Sequence, residues 1–266
     1  MKPNLEDFRK IVWVGADPPL KLSVIDTGKG DREKTLIFLH GVGGRALHWT
    51  RQLEFFFDKY RLIAFDLRGH GFSDKPTSSY TVEEMLSDLS KALEVLKVSE
   101  KVIILGHSFG AALALEFAVL HPEKIEKLIL INVSSSFMLS PVLKLTCILP
   151  ISILKIIKAI LSRHLFAPPY VLKNYLNNAV FKWNGSPLFE KIEIPTLVIA
   201  GQWDTITLRS DAKKIVKEMP NARLDTISYS GHLLIFERPD AVNRSIQRFL
   251  EPKIQTWRES FEEPEV

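Results

Sequence analysis

Val102-Ile103-Ile104-Leu105-Gly106-His107-Ser108-Phe109-Gly110-Ala111-Ala112-Leu113-Ala114-Leu115-Glu116-Phe117-Ala118 carries the decisive pattern of this chain. Its first four residues are apolar without interruption, as a strand buried on both faces requires. The run from Ala111 to Ala118 has the composition of a buried helix. Between them stands G-x-S-x-G, made by Gly106, Ser108 and Gly110. A strand that yields to a helix within one residue forces the turning residue into a strained backbone, and flanking glycines let the two elements approach closely. Such a turn lifts the Ser108 hydroxyl out of the sheet, near a helix N-terminus where partial positive charge accumulates. Alone, the pattern also fits a Gly-Ser turn without chemistry. The strand before it and the helix after it favour a nucleophile.

A serine hydroxyl needs a base to remove its proton, and the base needs a carboxylate to orient it. Of the seven histidines, His107 adjoins Ser108 and points elsewhere, His121 precedes Pro122, His48 and His164 sit in helical or cap-like sequence, and His70 lies in a turn. His232 follows the strand-like run Ala222–Ser228 and occupies the loop Ser230-Gly231-His232 before the closing helix, so it is the candidate base. Thr196-Leu197-Val198-Ile199-Ala200-Gly201 reads as a buried strand whose exit loop, Gln202-Trp203-Asp204, offers Asp204 as the orienting carboxylate. The rival position, after Leu128-Ile129-Leu130-Ile131, holds the uncharged Asn132. Asp211 and Asp225 read as surface or ladder residues.

The oxyanion of a tetrahedral intermediate needs preorganised N–H donors. One is expected from Phe109, directly after Ser108. The other is expected from the loop after Thr35-Leu36-Ile37-Phe38-Leu39, His40-Gly41-Val42-Gly43-Gly44, whose glycines let the backbone turn the Val42 N–H inward. That loop lacks the Lys-Ser/Thr ending of a phosphate loop and the G-x-G-x-x-G spacing of a dinucleotide site.

Together these segments resemble the α/β-hydrolase superfamily over residues 20 to 250. The matched features are His40-Gly41, the segment Asp66-Leu67-Arg68-Gly69-His70-Gly71-Phe72-Ser73-Asp74, the Ser108 elbow, Asp204, and Gly231-His232 followed by Glu237-Arg238-Pro239-Asp240. The order Ser, Asp, His along the chain is that of this superfamily. The resemblance implies an α/β fold, with a mostly parallel eight-stranded sheet, helices on both faces and a small helical cap. It implies that Asp66–Asp74 is mainly a structural loop, with His40, Gly41, Gly43, Gly106 and Gly110 supporting the site. Residues 1–133 and 191–252 would form the core, 134–190 the cap insertion and 253–266 an acidic tail.

The pattern along the chain fits that expectation. Strand-like runs recur at Ile11–Val14, Lys21–Asp26, Thr35–Leu39, Arg61–Asp66, Val102–Gly106, Lys127–Asn132, Thr196–Gly201 and Ala222–Ser228. Helical patterns lie at Ala46–Phe57, Val82–Leu96, Phe109–Leu120, Ser210–Met219 and Asp240–Leu250. The alternation implies a parallel sheet covered on both faces, with the first two runs as an antiparallel pair at one edge.

With 266 residues and 46% hydrophobic content the chain supports one large core. The single cysteine, Cys147, excludes an intramolecular disulfide and reads as a buried hydrophobe. The N-terminus has no apolar signal region, and Leu145–Leu154 is too short to span a bilayer, so a cytoplasmic protein is expected. A net charge of +4 does not indicate nucleic acid. From Lys127 through Phe189 there is no Asp or Glu. There Lys144, Lys155 and Lys158 would share about a sixty-degree arc on a continuous helix, although Pro150 divides it. A lysine-edged apolar segment suggests weak contact with an anionic membrane surface. The apolar residues Leu143 to Leu161 suggest packing on the sheet domain and, in part, an acyl pocket.

The expected activity is hydrolysis of a carboxylic ester or related acyl bond of a small apolar molecule, with no cofactor or metal. Ser108 argues against haloalkane dehalogenases and epoxide hydrolases of this fold, which need a carboxylate at the elbow. Thioesterase, lactonase, carbon–carbon hydrolase and perhydrolase chemistry remain open, as does a ligand receptor on the same scaffold.

Overall fold

Eight runs rich in β-branched and aliphatic residues pair into one sheet: β1 (Arg9–Val14), β2 (Leu20–Asp26), β3 (Thr35–Leu39), β4 (Arg61–Asp66), β5 (Val102–His107), β6 (Ile125–Ile131), β7 (Thr196–Gly201) and β8 (Ala222–Ile227). This computed structural model describes residues 2–15, 18–137, 150, 152–153, 156 and 165–251. The strand order is β1-β2-β4-β3-β5-β6-β7-β8. β1 pairs antiparallel with β2, and β2 antiparallel with β4; every later neighbour is parallel. β3, β4, β5 and β7 are buried along their whole length, whereas β8, at the edge, is only partly covered.

Helices lie on both faces: α1 (Thr50–Phe56), α2 (Val82–Val95), α3 (Phe109–Leu120), α4 (Pro169–Tyr175), α5 (Ser186–Phe189), α6 (Arg209–Glu218), α7 (Leu234–Glu237) and α8 (Pro239–Leu250). Because strand side chains alternate, each central strand feeds two cores. Ile104, Leu128, Leu130 and Val198 pack with Leu86 and Leu89 of α2, Leu113 and Phe117 of α3, and Ile215 of α6. Ile103, Leu105, Ile129 and Leu197 pack on the opposite face with Leu53 and Phe56 of α1 and Val242 and Ile246 of α8. α3 is buried nearly all round, which its lack of polar residues other than Glu116 permits.

Several boundaries differ from the sequence reading by one or two residues, β1 among them, which begins at Arg9 rather than Ile11. The stretch expected as one helix from Ala46 to Phe57 begins as a 3-10 turn, Ala46–Trp49, and becomes α-helical only at Thr50. There the Ala46 N–H is held by the Asp66 carboxylate at 2.7 Å. β6 begins at Ile125 rather than Lys127, because a register shift at Val102/Ile103 lets Val102 pair with Ile125.

Between Ile131 and Thr196 the described residues add no strand to the sheet; one isolated bridge joins Ser136 and Asn184. Val171 and Tyr175 of α4, Ala179 and Val180 of the following π-helical turn (Leu176–Val180), and Trp183 join the core that holds Phe109 and Phe117. The Trp183 indole N–H donates to Glu116 Oε1 at 2.9 Å, tying this segment to α3. Lys144, Cys147, Lys155 and Lys158, the apolar run Leu143–Leu161 apart from Pro150, Ser152, Ile153 and Ile156, and the tail 253–266 lie outside the described residues. Among the described residues no helix is long and apolar enough to cross a membrane.

Candidate active site

Ser108 stands alone between the last residue of β5 and the first of α3, with φ 54° and ψ −123°. That conformation is costly for a residue with a side chain and persists only where the surroundings over-determine it. Here the Ser108 N–H donates to Ile131 O at 2.8 Å, and Ser108 O accepts from the Ala111 N–H at 2.9 Å. The flanking glycines are required by space. A Cβ on Gly106 would lie 2.4 Å from Ala111 Cα, and one on Gly110 would lie 2.2 Å from Leu39 O. Both obstacles are backbone, so no rotamer change relieves them. We therefore expect Gly110→Ala to destabilise the fold by about 3 kcal/mol or more. Urea unfolding measures this, and a variant within about 0.5 kcal/mol of wild type would contradict the packing argument.

The structure brings Ser108, His232 and Asp204 into one hydrogen-bonded line. His232 Nε2 lies 3.0 Å from Ser108 Oγ, and His232 Nδ1 lies 2.8 Å from Asp204 Oδ2. With Nδ1–H donating to the carboxylate, Nε2 presents its lone pair to the hydroxyl proton. Asp204 is itself held firmly: Oδ1 accepts from the N–H groups of Ile206 at 2.7 Å and Thr207 at 2.9 Å, and Oδ2 from the Thr207 hydroxyl at 2.5 Å. Burial alone would raise the Asp204 carboxyl; the hydrogen bond and charge of His232, with the Thr207 bonds, outweigh it and keep the group below the usual carboxylate range.

The loops carrying these residues are strapped together. Trp203 N–H donates to Ser230 O at 2.8 Å, and Gly231 N–H to Glu237 Oε2 at 2.6 Å. Gly201, at the end of β7, leaves room for the His232 loop, since a Cβ there would lie 2.4 Å from Gly231 O.

The His40–Gly44 loop crosses the top of β3 beside the elbow. A Cβ on Gly41 would sit 3.0 Å from Ser108 Cβ, so this loop abuts the hydroxyl-bearing residue. Gly43 adopts φ +76°; its N–H donates to His70 Nε2 at 3.0 Å, and its carbonyl accepts from Phe166 N–H at 2.7 Å. Gly44 N–H is taken by Gly41 O. Among the described residues the N–H groups of Val42 and Phe109 have no acceptor; Phe109 opens α3, where an intrahelical partner is impossible. One of these donors thus lies on the residue after Ser108 and the other on the loop whose Gly41 abuts it.

Three further histidines surround this centre, and hydrogen bonds fix His40 and His70 as neutral tautomers. His40 accepts from Leu67 N–H at Nε2 and faces Gly41 O with Nδ1, 2.8 Å away. His70 accepts from Gly43 N–H at Nε2 and faces Arg68 O with Nδ1, 2.9 Å away. His107 Nε2 faces His232 O at 2.8 Å and therefore carries a proton. Burial is the main cause that pushes all three down to about 3.

The Asp66–Asp74 segment, expected to be mainly a structural loop, holds the His40–Gly44 loop through His70. Asp66 extends that role: it accepts from Arg9, from Ala46 N–H and from Phe72 N–H. Asp211, expected as a surface or ladder residue, instead accepts from Ser134 Oγ, Ser135 N–H and Ser135 Oγ, fastening α6 to the segment after β6. Asp225 accepts from Ser245 and Arg248 at the sheet edge. No group of three His, Cys, Asp or Glu side chains suited to a metal occurs among the described residues.

Residues 34–146 match the model of the alpha/beta hydrolase fold family. A protein of Haemophilus influenzae named "Putative esterase/lipase" is 30% identical over 239 residues, covering 81% of this chain and 82% of that protein. The chain belongs to the α/β-hydrolase family. Protein ABHD8 of Mus musculus is 27% identical over 240 residues, 81% of this chain; the chain spans about half of that relative's length, 54%. Among solved structures, that of Est816, described as an N-acyl homoserine lactone degrading enzyme, shares 26% identity. It superposes with a TM-score of 0.77 over 90% of this chain and 100% of its own.

Proposed function

We propose that this α/β-hydrolase is a serine hydrolase that cleaves carboxylic esters, lactones among them, through an acyl-enzyme. The observation that carries this reading is the unbroken line from Ser108 Oγ through His232 to Asp204. His232 Nε2 takes the hydroxyl proton as Oγ forms a bond to the substrate carbonyl carbon. Asp204 keeps the proton of Nδ1 in place and stabilises the imidazolium. The Val42 and Phe109 N–H groups receive the oxyanion, which supplies stabilisation of about 3–4 kcal/mol per donor in a comparable setting. Collapse of the tetrahedral adduct expels the alcohol, which takes the proton from Nε2. Water then attacks the acyl carbon with the same imidazole as base, and Ser108 is released.

The likeness to Est816 brings cyclic esters into the substrate class, since a lactone is opened by the same two steps. Residues 134–190 act as a cap on a core formed by 1–133 and 191–252, and the apolar composition of that insertion favours an apolar acyl group. The second reading, a ligand receptor on the same scaffold, differs in turnover. A fluorophosphonate probe should label Ser108 rapidly, and p-nitrophenyl esters should turn over many times per enzyme. Slow modification followed by a single turnover would instead favour the receptor. A chain-length series of the same esters then measures the depth of the pocket.

Asp204→Asn offers a sharper check on the roles. The amide keeps the size of the side chain but favours the imidazole tautomer that carries its proton on Nε2, which cannot act as base. The expected loss in kcat is about 10⁴-fold, with KM little changed because Asp204 touches no substrate. Unaltered kcat in a folded Asp204→Asn protein would remove the carboxylate from the mechanism.

A further inference from the structure

The His232 main chain is held by two buried side chains that do not touch the reacting atoms. His107 Nε2–H and Asn132 Nδ2 both donate to His232 O, each at 2.8 Å, so both lone pairs of that carbonyl are occupied. Asn132 Nδ2 also reaches Gly231 O at 3.1 Å, while its Oδ1 accepts from Gly201 N–H at 2.9 Å. Asn132 sits just past β6 with φ 49°, a conformation that Asn tolerates better than most side chains. Both side chains belong to nearly inaccessible residues: His107 is 5% exposed and Asn132 1%. His107 precedes Ser108, so one covalent step and one hydrogen bond connect the serine to the backbone of His232. Asn132 ties that same backbone to the ends of β6 and β7.

We propose that His107 and Asn132 are positioning residues whose two donors clamp the His232 carbonyl and thereby set the separation between the Ser108 hydroxyl and the His232 imidazole. The clamp rests on donors. Asp at 132 would keep the shape, lose both N–H groups and set negative charge against two carbonyl oxygens. Asn132 also occupies the strand end that could hold an orienting acid, and the two roles give opposite predictions for Asn132→Asp.

The inference rests on the serine-hydrolase reading for its kinetic arm only. With p-nitrophenyl butyrate, Asn132→Ala and His107→Leu are expected to lower kcat about 10- to 100-fold, as a displacement near 1 Å does. KM should stay within about twofold, since no substrate contact is lost. His107→Gln, which retains an N–H at similar reach, should recover most of the rate. Asn132→Asp should be no better than Asn132→Ala, and it should not rescue Asp204→Asn. Hydrogen–deuterium exchange over residues 230–234 reads the clamp without any substrate and should accelerate in Asn132→Ala while the central strands stay protected. Wild-type protein that hydrolyses no ester would defeat the hydrolase reading, and the exchange result would still decide the clamp. A folded Asn132→Ala protein with wild-type kcat, rescue of Asp204→Asn by Asn132→Asp, or unchanged exchange at 230–234 would overturn it.

Discussion

Ser108→Ala is expected to lower kcat for a p-nitrophenyl ester by about 10⁵- to 10⁶-fold while leaving the fold intact. On the proposed mechanism the loss is large because the covalent route disappears, not because one hydrogen bond is missing. The residual rate should come from the Val42 and Phe109 donors and from substrate binding, which together can still exceed the uncatalysed reaction. Stability should change little. The hydroxyl makes one side-chain bond, to His232, and the two backbone bonds of residue 108 are independent of it. The strained backbone is retained, since alanine bears the same Cβ that makes φ 54° costly. A thermal melt close to wild type alongside abolished turnover is the expected pair of results. Turnover at the native rate in Ser108→Ala would mean that another group performs the attack.

Much of this site can be read from sequence because its parts are local signals. The Ser108 elbow is a strand, a single residue and a helix in succession, and Asp204 and Gly231-His232 each follow a strand by a few residues. Burial periodicity fixes the strands, and exits from parallel strands lie at one end of a sheet. The supporting shell is not local. Asn132 looks inert in sequence, since a neutral side chain cannot replace an acid. Its importance comes from Gly201, Gly231 and His232, which reach it only after β6, β7 and β8 have lined up. His70 is similar, because the turn around it gives no hint that its Nε2 will meet Gly43 N–H. Adjacency to Ser108 rules His107 out as the base, yet its ring reaches the carbonyl of the residue that is the candidate base. Donor and acceptor complementarity across distant loops leaves no periodicity to detect.

That same shell leads to the second large expected effect, a steep loss of stability in mild acid. His40, His70 and His107 titrate near 3 in the folded protein, against an ordinary value of 6.5. Protonating His40 or His70 would turn an acceptor nitrogen into a donor facing the N–H of Leu67 or Gly43, besides placing charge in a buried site. Above about pH 6.5 these rings are neutral in both folded and unfolded chains, and they contribute no pH dependence. As the pH falls below that value, the unfolded chain binds three protons that the folded chain refuses, so protons favour unfolding. Each ring then removes about 1.4 kcal/mol of stability per pH unit, roughly 4 kcal/mol per unit for the three, until the folded values are reached. Asp204 acts in the same direction but lower: its folded value lies below 3.8, so its stabilisation is present at neutral pH and fades below about 4. Against a total stability of about 5–15 kcal/mol, the histidines alone should bring the acid unfolding midpoint to about pH 5 at the lower end of that range and to near pH 3 at the upper end. Urea titrations at half-unit intervals from pH 7 to 4.5 should give the slope, and His107→Gln should reduce it by about one third because one titrating ring is gone. A stability that stays flat across this interval would show that the buried rings accept protons in the folded state, against the donor pattern that fixes their tautomers.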